Sequence, residues 1–437
     1  MTFHLIGIGG AGMSVVALLL AARGHDVQGS DAKDSATLAG LHEAGIRTFV
    51  GHDASHVGPG MRVVVSSAIR ATNPELVRAR ELSLEVLHRS EALALAAAGL
   101  DFVAVAGAHG KTTTSAMIAV ALRAAGRDPS FAIGGTVLGV GSGAHLGRGT
   151  AFVAEADESD ASFLNYTPRV AVVTNVEPDH LDHYGTREAF ERAFRDFVGR
   201  IVPGGLLVAC ADDDGARALL ADARAAGVRT MSYGGAGADL LVEGDDLVWG
   251  GQRHHLELAV TGAHNRLNAA AAFAVGVELG VEPAEMAAAL SAFRGTGRRF
   301  EPHGERRGVR VIDDYAHHPT EVEATLRTAR QEAGAGRVLV LFQPHLFSRT
   351  RDFAERFAAA LDHADEVVVT AIYPSREEPI PGVTSGLITT RMVRGTYVPD
   401  RHAAAREIAR RARPGDLVLT MGAGDVTELA DEILGLL

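Results

Sequence analysis

The segment VAVAGAHGKTTTS, residues 103–115, has the residue types that hold a triphosphate. Gly107 and Gly110 permit a tight loop whose backbone N–H groups turn inward toward phosphate oxygens, and a helix starting near Lys111 adds its positive end. Lys111 can neutralise charge on the β- and γ-phosphates, and the Thr112 hydroxyl can reach Mg2+. His109 and Thr113 complete the candidate ATP-binding set. A full Walker loop wants a glycine where Val105 stands, so this is a shortened G-x-x-G-K-T version. The plain alternative is an ordinary glycine turn with a surface lysine. An apolar strand before the turn and a helical run after it favour phosphate.

The chain opens with a second phosphate-type pattern. Gly7, Gly9 and Gly12 follow an apolar strand in G-x-G-x-x-G spacing, and Asp31 closes the next strand, where a ribose-binding acid can sit. The pattern permits close phosphate approach without naming the nucleotide. It suits NAD for hydride transfer, or another nucleotide such as the UDP part of a larger substrate. Two phosphate-type sites in one chain weigh against a simple dehydrogenase.

Further acids and bases gather beyond other strands. AEADESDASF concentrates Glu155, Asp157, Glu158 and Asp160, with Glu155 nearest the strand and favoured as the magnesium ligand. TNVEPDHLDHYG carries Asn175, Glu177, Asp179, His180, Asp182 and His183. Mg2+ prefers oxygen, so His180 is a less typical ligand. His264, Asn265 and Asn268 open a helix, where they can bind nucleotide polar groups or simply cap it. Arg298 and Arg299 in GTGRRFE can meet a transferring phosphate or form a salt-bridged domain seam. His317 in DDYAHHPTE can orient or accept a proton. His345 and Arg349 follow another strand, and Arg349 suits bidentate carboxylate recognition.

Parallel strands would deliver such loops to one rim. Residues 1–95 alternate strand and helix, which predicts a parallel sheet with helices on both faces. Residues 96–298 continue the alternation, with strands at DFVAVAG, TAFVAEA, RVAVVTNV and GGLLVAC. Helices are expected over 188–200, 265–279 and 283–293, and hairpins over 233–260. Residues 299–437 carry strands VRVIDDY, RVLVLFQP, EVVVTAIY and DLVLTMG. The expected fold is α/β in three domains: a Rossmann-like N-terminal domain, a central P-loop ATPase domain with a parallel sheet, and a Rossmann-like C-terminal domain.

Composition narrows the partners. A net charge of −12 speaks against a nucleic-acid binder but leaves room for a local nucleotide site. Cys210 is the one cysteine, so there is no internal disulfide and no cysteine metal cluster; it reads as a buried small residue. Apolar runs break before the length of a membrane span, and no basic leader precedes the first strand. A cytoplasmic enzyme without membrane insertion is expected.

In order along the chain, GIGGAGMS, GAHGKTTT, EADESDASF, TNVEPDHLDHY, GAHNRLNA, GTGRRFE, DDYAHHPTE and FQPHLFSRT resemble the Mur ligase family, and the likeness covers the whole length. It implies ATP-driven ligation of L-alanine to the carboxylate of UDP-N-acetylmuramate through an acyl phosphate, by a monomer or weak dimer. Gly7, Gly9, Gly12, Asp31 and Ser67 would lie near the UDP-sugar. Lys111 would contact the phosphates, Thr112 and Glu155 would hold magnesium, and His180 a second ion. Asn265, Asn268 and His264 would fall near adenine or ribose. Arg298 or Arg299 would approach the γ-phosphate, and His317, His345 and Arg349 the carboxylate-bearing substrates. Ala108, Ala316, Leu346 and Phe347 depart from the family pattern. Leu346 and Phe347 stand where the family has an arginine and a phenol that contact substrate, whereas Ala108 leaves the backbone anion nest intact. The nearest alternative is a recycling ligase that adds an intact murein peptide to the same sugar acceptor.

Overall fold

The computed structural model describes residues 1–179, 181–375 and 377–437. Three separate sheets organise the chain. By internal contact it falls into two compact units, residues 1–259 with 266–294, and residues 260–265 with 295–437. The first unit holds two of the sheets.

Sheet one comprises β1 (Thr2–Ile6), β2 (Asp26–Asp31), β3 (Arg47–Val50), β4 (Arg62–Val65) and β5 (Val86–His88). All pairings are parallel, in the order β3-β2-β1-β4-β5. The order reverses between β1 and β4, and a crevice opens beyond the strand ends at such a switch. Gly7, with φ +78°, turns the chain out of β1 at that point and into the helix Ala11–Ala22.

Sheet two has ten strands. They are β6 (Asp101–Ala106), β7 (Ser130–Val137), β8 (Ser142–His145), β9 (Ala151–Glu155), β10 (Val170–Val173), β11 (Leu206–Cys210), β12 (Arg229–Gly234), β13 (Leu240–Glu243), β14 (Asp246–Trp249) and β15 (Gln252–His255). From β13 through β12, β11, β10, β6 and β9 to β7 the strands are parallel. The expected hairpins are present as β13-β14-β15, and an unforeseen antiparallel strand, β8, closes the other edge. The middle strands are buried on both faces, which is why they read as unbroken Val, Ala and Leu runs. Helix Arg187–Val198 packs on this sheet through Phe190, Phe194 and Phe197, spaced four and three apart on one face. Their rings meet each other and Phe163 at 4.9–5.3 Å between centroids. Cys210 is buried here as expected, and burial pushes its thiol up to about 11.

Sheet three lies in the second unit and comprises β16 (Glu301–Arg306), β17 (Val309–Asp314), β18 (Val338–Phe342), β19 (Glu366–Val369), β20 (Gly395–Tyr397) and β21 (Leu417–Met421). Its order is β16-β17-β21-β18-β19-β20, with β16 antiparallel and the others parallel. The antiparallel β16 was not foreseen; its exposed, polar EPHGER sequence carries no apolar alternation. Among the described residues no helix is long and apolar enough to cross a membrane.

One polar cluster lies inside the first domain. The fully buried Glu75 carboxylate is 2.7 Å from His56 Nδ1, 3.0 Å from His52 Nδ1 and 3.4 Å from His4 Nε2, and it accepts the Ser30 hydroxyl at 2.5 Å. Burial alone would raise its pKa; the contacts with His4, Ser30 and His56 outweigh that and bring it down to about 2. A carboxyl depressed in the folded state stabilises above its unfolded pKa of 4.5, and the gain is lost as pH falls through about 2. Glu75→Gln should therefore cost about 3 kcal/mol near neutrality. Thermal melts should show that deficit shrinking between pH 4.5 and pH 2. A deficit independent of pH would refute the charged cluster.

Candidate active site

Parallel neighbours β9, β6 and β10 end on one rim of sheet two, and the candidate phosphate loop rises from the middle strand. Gly107 has φ +132°, and a Cβ there would stand 2.1 Å from Thr174 Oγ1. Gly110, with φ +82°, caps helix Lys111–Ala124, and its Cβ would meet Asn268 Oδ1 at 2.9 Å. Both positions therefore demand glycine on conformation and on space. The loop is tied from behind. His109 N–H donates to Asn175 Oδ1 at 3.0 Å, and Asn175 Nδ2 returns a bond to His109 O at 3.0 Å. The Thr174 hydroxyl bonds His109 O at 2.5 Å. Such ties hold the amides in place before any anion arrives.

Lys111 donates to Gly107 O at 2.7 Å and pairs with Glu158 at 2.8 Å. Burial works against its charge, but Glu158, Asp157 and Glu155 outweigh burial and hold its pKa above the ordinary lysine value. It is a permanent cation at the loop. Glu155 ends β9 and accepts Gly134 N–H at 2.9 Å. Thr112 lies in the first turn of the helix. A hydroxyl and a carboxylate make an all-oxygen pair, the donor chemistry that a hard divalent cation takes. Thr113 is buried, and the Thr114 hydroxyl bonds Asn268 Oδ1 at 3.1 Å. Asn268 thus backs the loop. Glu177 takes a bond from His109 Nε2 at 3.3 Å, and Asp179 is buried. His180 lies outside the described residues.

Within the second unit, the adjacent arginines differ sharply. Arg298, at φ +59°, donates through Nε to the buried Asp313 at 3.2 Å and through Nη2 to Gly422 O at 2.6 Å and Gly424 O at 3.2 Å. Asp313 also accepts Thr420 and Thr427 hydroxyls at 2.6 and 2.7 Å. Arg298 is a fixture of this domain. Both guanidiniums lie over the Tyr315 ring, at 4.8 and 4.9 Å, but the ion pair of Arg299, to Glu321 at 3.6 Å, is looser. Of the two guanidiniums, that of Arg299 is the less firmly tied within this unit.

Nearby, His317 Nδ1 is 3.0 Å from the Tyr315 carbonyl. A carbonyl only accepts, so Nδ1 carries the proton and Nε2 keeps its lone pair. Burial drives the imidazole down to about 3, with Glu321 opposing and Arg349, His345 and Arg299 adding to the drop. A neutral acceptor results. The ring of His345 packs edge-on against His317 at 5.7 Å and stacks on Tyr373 at 5.9 Å. Leu346 takes φ +71° to start helix Phe347–Leu361, and Arg349 lies buried in its first turn. Glu377, which sequence reasoning missed, accepts Ser348 N–H at 3.0 Å and its hydroxyl. His264 and Asn265 open helix Ala263–Glu278; Asn265 Nδ2 bonds Thr261 O at 2.7 Å.

Three family profiles match in succession: "Mur ligase family, catalytic domain" over residues 2–100, "Mur ligase middle domain" over 105–276, and "Mur ligase, glutamate ligase domain" over 298–424. The chain belongs to the Mur ligase family. The UDP-N-acetylmuramate–L-alanine ligase of Kineococcus radiotolerans is 58% identical over 99% of this chain and 96% of its own length. That of Renibacterium salmoninarum is 58% identical, covering 99% and 95%. Among solved structures, the UDP-N-acetylmuramate–alanine ligase of Thermotoga maritima superposes with a TM-score of 0.79 at 30% identity, covering 100% of this chain and 98% of the other.

In this Mur ligase the first-domain glycine turn has two side-chain partners, Asp31 and Arg89. Gly9 N–H donates to Asp31 Oδ2 at 2.9 Å, so the acid expected beside a ribose braces the turn. A Cβ on Gly12 would stand 2.3 Å from Arg89 Nη1. That glycine makes room for a guanidinium. Ser67 donates its hydroxyl to Asp160 at 2.7 Å. Nothing in the sequence singled out Arg89. Its signal would have been a cation opening a helix right after a parallel strand.

Proposed function

We propose that this Mur ligase joins L-alanine to the carboxylate of UDP-N-acetylmuramate, driven by ATP, as a step of peptidoglycan precursor synthesis in the cytoplasm. The supporting observation is 58% identity over 99% of the chain to a relative bearing that activity in its name. A murein peptide ligase from Psychrobacter arcticus is 26% identical with a TM-score of 0.72, a weaker likeness to the rival activity. We assign residues 1–95 to the UDP-sugar, 96–298 to ATP and 299–437 to the amino acid.

Chemistry explains why ATP is needed: a resting carboxylate is a poor acceptor for an amine. The lactyl carboxylate attacks the γ-phosphorus, a new O–P bond forms, and ADP leaves with the electrons of the broken P–O bond. Loop amides and the Lys111 ammonium stabilise the charge that spreads over the phosphoryl oxygens, and Arg299 is the further cation we assign to it. Magnesium, which Thr112 and Glu155 would hold, supplies Lewis-acid stabilisation when bound. The neutral amine of L-alanine then adds to the acyl phosphate carbonyl. Phosphate departs with its bonding pair and takes up the proton that the amine gives up, and an amide remains. The lone pair of His317 Nε2 serves as a hydrogen-bond acceptor for the amine; its low pKa suits orientation better than proton storage.

A coupled assay of ADP release with UDP-N-acetylmuramate and either L-alanine or the murein tripeptide tests the assignment. L-alanine should drive turnover; an inert L-alanine beside an active tripeptide would overturn it. Arg349→Ala should raise the KM for one carboxylate substrate about 10- to 100-fold, the value of a lost charge-assisted bond. Unchanged substrate constants with a lowered melting temperature would make Arg349 structural instead.

A further inference from the structure

The acidic turn after β9 faces two ways. Glu158, almost fully buried, holds Lys111 at 2.8 Å. Its neighbours hold the first domain: Asp157 Oδ2 lies 3.8 Å from Arg89 Nη2, while Asp160 Oδ2 accepts the Ser67 hydroxyl at 2.7 Å and stands 3.7 Å from His88 Nε2. Just past the turn, Asn165 Nδ2 donates to Ser90 Oγ at 2.7 Å.

The turn between these partners is stiff. Asp157 Oδ1 accepts Ser159 N–H and Asp160 Oδ1 accepts Ser162 N–H, both at 3.0 Å. The Tyr184 hydroxyl bonds Glu158 O at 2.5 Å, and Ala161 sits at φ +60°. Aspartates that bond their own backbone cannot follow a moving partner alone; the turn must shift with them. Arg89 and Ser67 stand where the first domain meets its ligand. Arg89 fills the space over Gly12, and Ser67 follows β4 at the topological switch.

We propose that Asp157 and Asp160 are positioning residues that couple the first-domain substrate site to the phosphate loop, the turn moving Glu158 on Lys111 when Arg89 and Ser67 are drawn onto a ligand. The inference rests on the ATP and UDP-sugar reading above. An anionic ligand at the glycine turn draws Arg89 and Ser67 toward itself, and Asp157 and Asp160, still bonded to them, carry the turn along. Glu158 then relaxes its grip on Lys111, and the ammonium is released toward ATP. Linkage makes the effect mutual, so ATP tightens the UDP-sugar by the same factor. Plain repulsion between two anionic ligands would give the opposite sign.

Calorimetry on the full chain provides the test, using the β,γ-imido analogue of ATP with Mg2+, with and without saturating UDP-N-acetylmuramate. Wild type should bind the analogue about 5-fold more tightly or better when the sugar nucleotide is present, and Asp157→Asn and Asp160→Asn should cut this ratio below about 2-fold, whatever they do to the affinity for either ligand alone. Asp157 is 41% exposed, so its variant folds even where that of Asp160 fails. Absent or negative coupling in wild type, or full coupling in the Asp157→Asn variant, overturns the inference. Wild type that binds neither ligand alone would overturn the function reading itself, and this inference with it.

Discussion

Lys111→Ala should lower kcat about a thousand-fold or more, because a cation on the transferring phosphates contributes on that scale. The variant should also melt at a lower temperature. It removes a cation 2.8 Å from Glu158, a carboxylate with 1% exposure, and breaking a buried pair costs about 3–5 kcal/mol. The double variant Lys111→Ala/Glu158→Gln separates the two effects. Most of the melting temperature should return, since an amide needs no counter-ion, while turnover stays lost. Recovery of turnover together with stability would remove Lys111 from the chemistry. Near-wild-type ligation by the single variant would refute the assigned phosphate loop.

The second large effect distinguishes neighbours. Arg299→Ala should cut kcat by about 10³-fold, the lower range for an arginine that meets a transferring phosphate, with little change in the melting temperature. Arg298→Ala should do the reverse. Its guanidinium holds Asp313 and two carbonyls, and losing it leaves a fully buried carboxylate beside the Thr420 and Thr427 hydroxyls with its cation gone. A loss of about 3 kcal/mol or more in urea unfolding is expected. If Arg298→Ala stayed stable and lost turnover while Arg299→Ala kept both, the assignment would have to be exchanged.

Several of these features were legible before any coordinates. Gly107, Gly110 and Lys111 sit within a few residues of one another, so a local motif describes them. The β6, β9, β10 and β11 strands are apolar runs because both faces are covered, and the helix holding Phe190, Phe194 and Phe197 betrays itself by spacing. Other parts left no such trace. The strand β7 carries Gly134 and Gly135, which mask its alternation, and β8 is four polar or small residues. Of the four acids in one short segment, only Glu155 stood out, by its place at the strand end; the path of the turn is what shows that Glu158 faces Lys111, Asp157 and Asp160 face the first domain, and Glu155 meets Gly134. The pair at 298 and 299 was ambiguous. Both guanidiniums lie over Tyr315, and it is the bonds to Asp313, Gly422 O and Gly424 O, reached from a left-handed backbone, that set Arg298 apart. Arg89 and Gly12 are far apart in sequence, and no periodicity connects them.

The fit at Gly107 also bears on how this enzyme can change. Every residue that could replace a glycine brings at least a Cβ, and the loop has no room for one beside Thr174 Oγ1. An inhibitor that grips the loop through its main-chain amides would therefore press on atoms that no side-chain mutation can alter. Escape would have to come from Thr174, Asn175 or Asn268, the props behind the loop, and each such change would disturb the hold on the natural nucleotide as well.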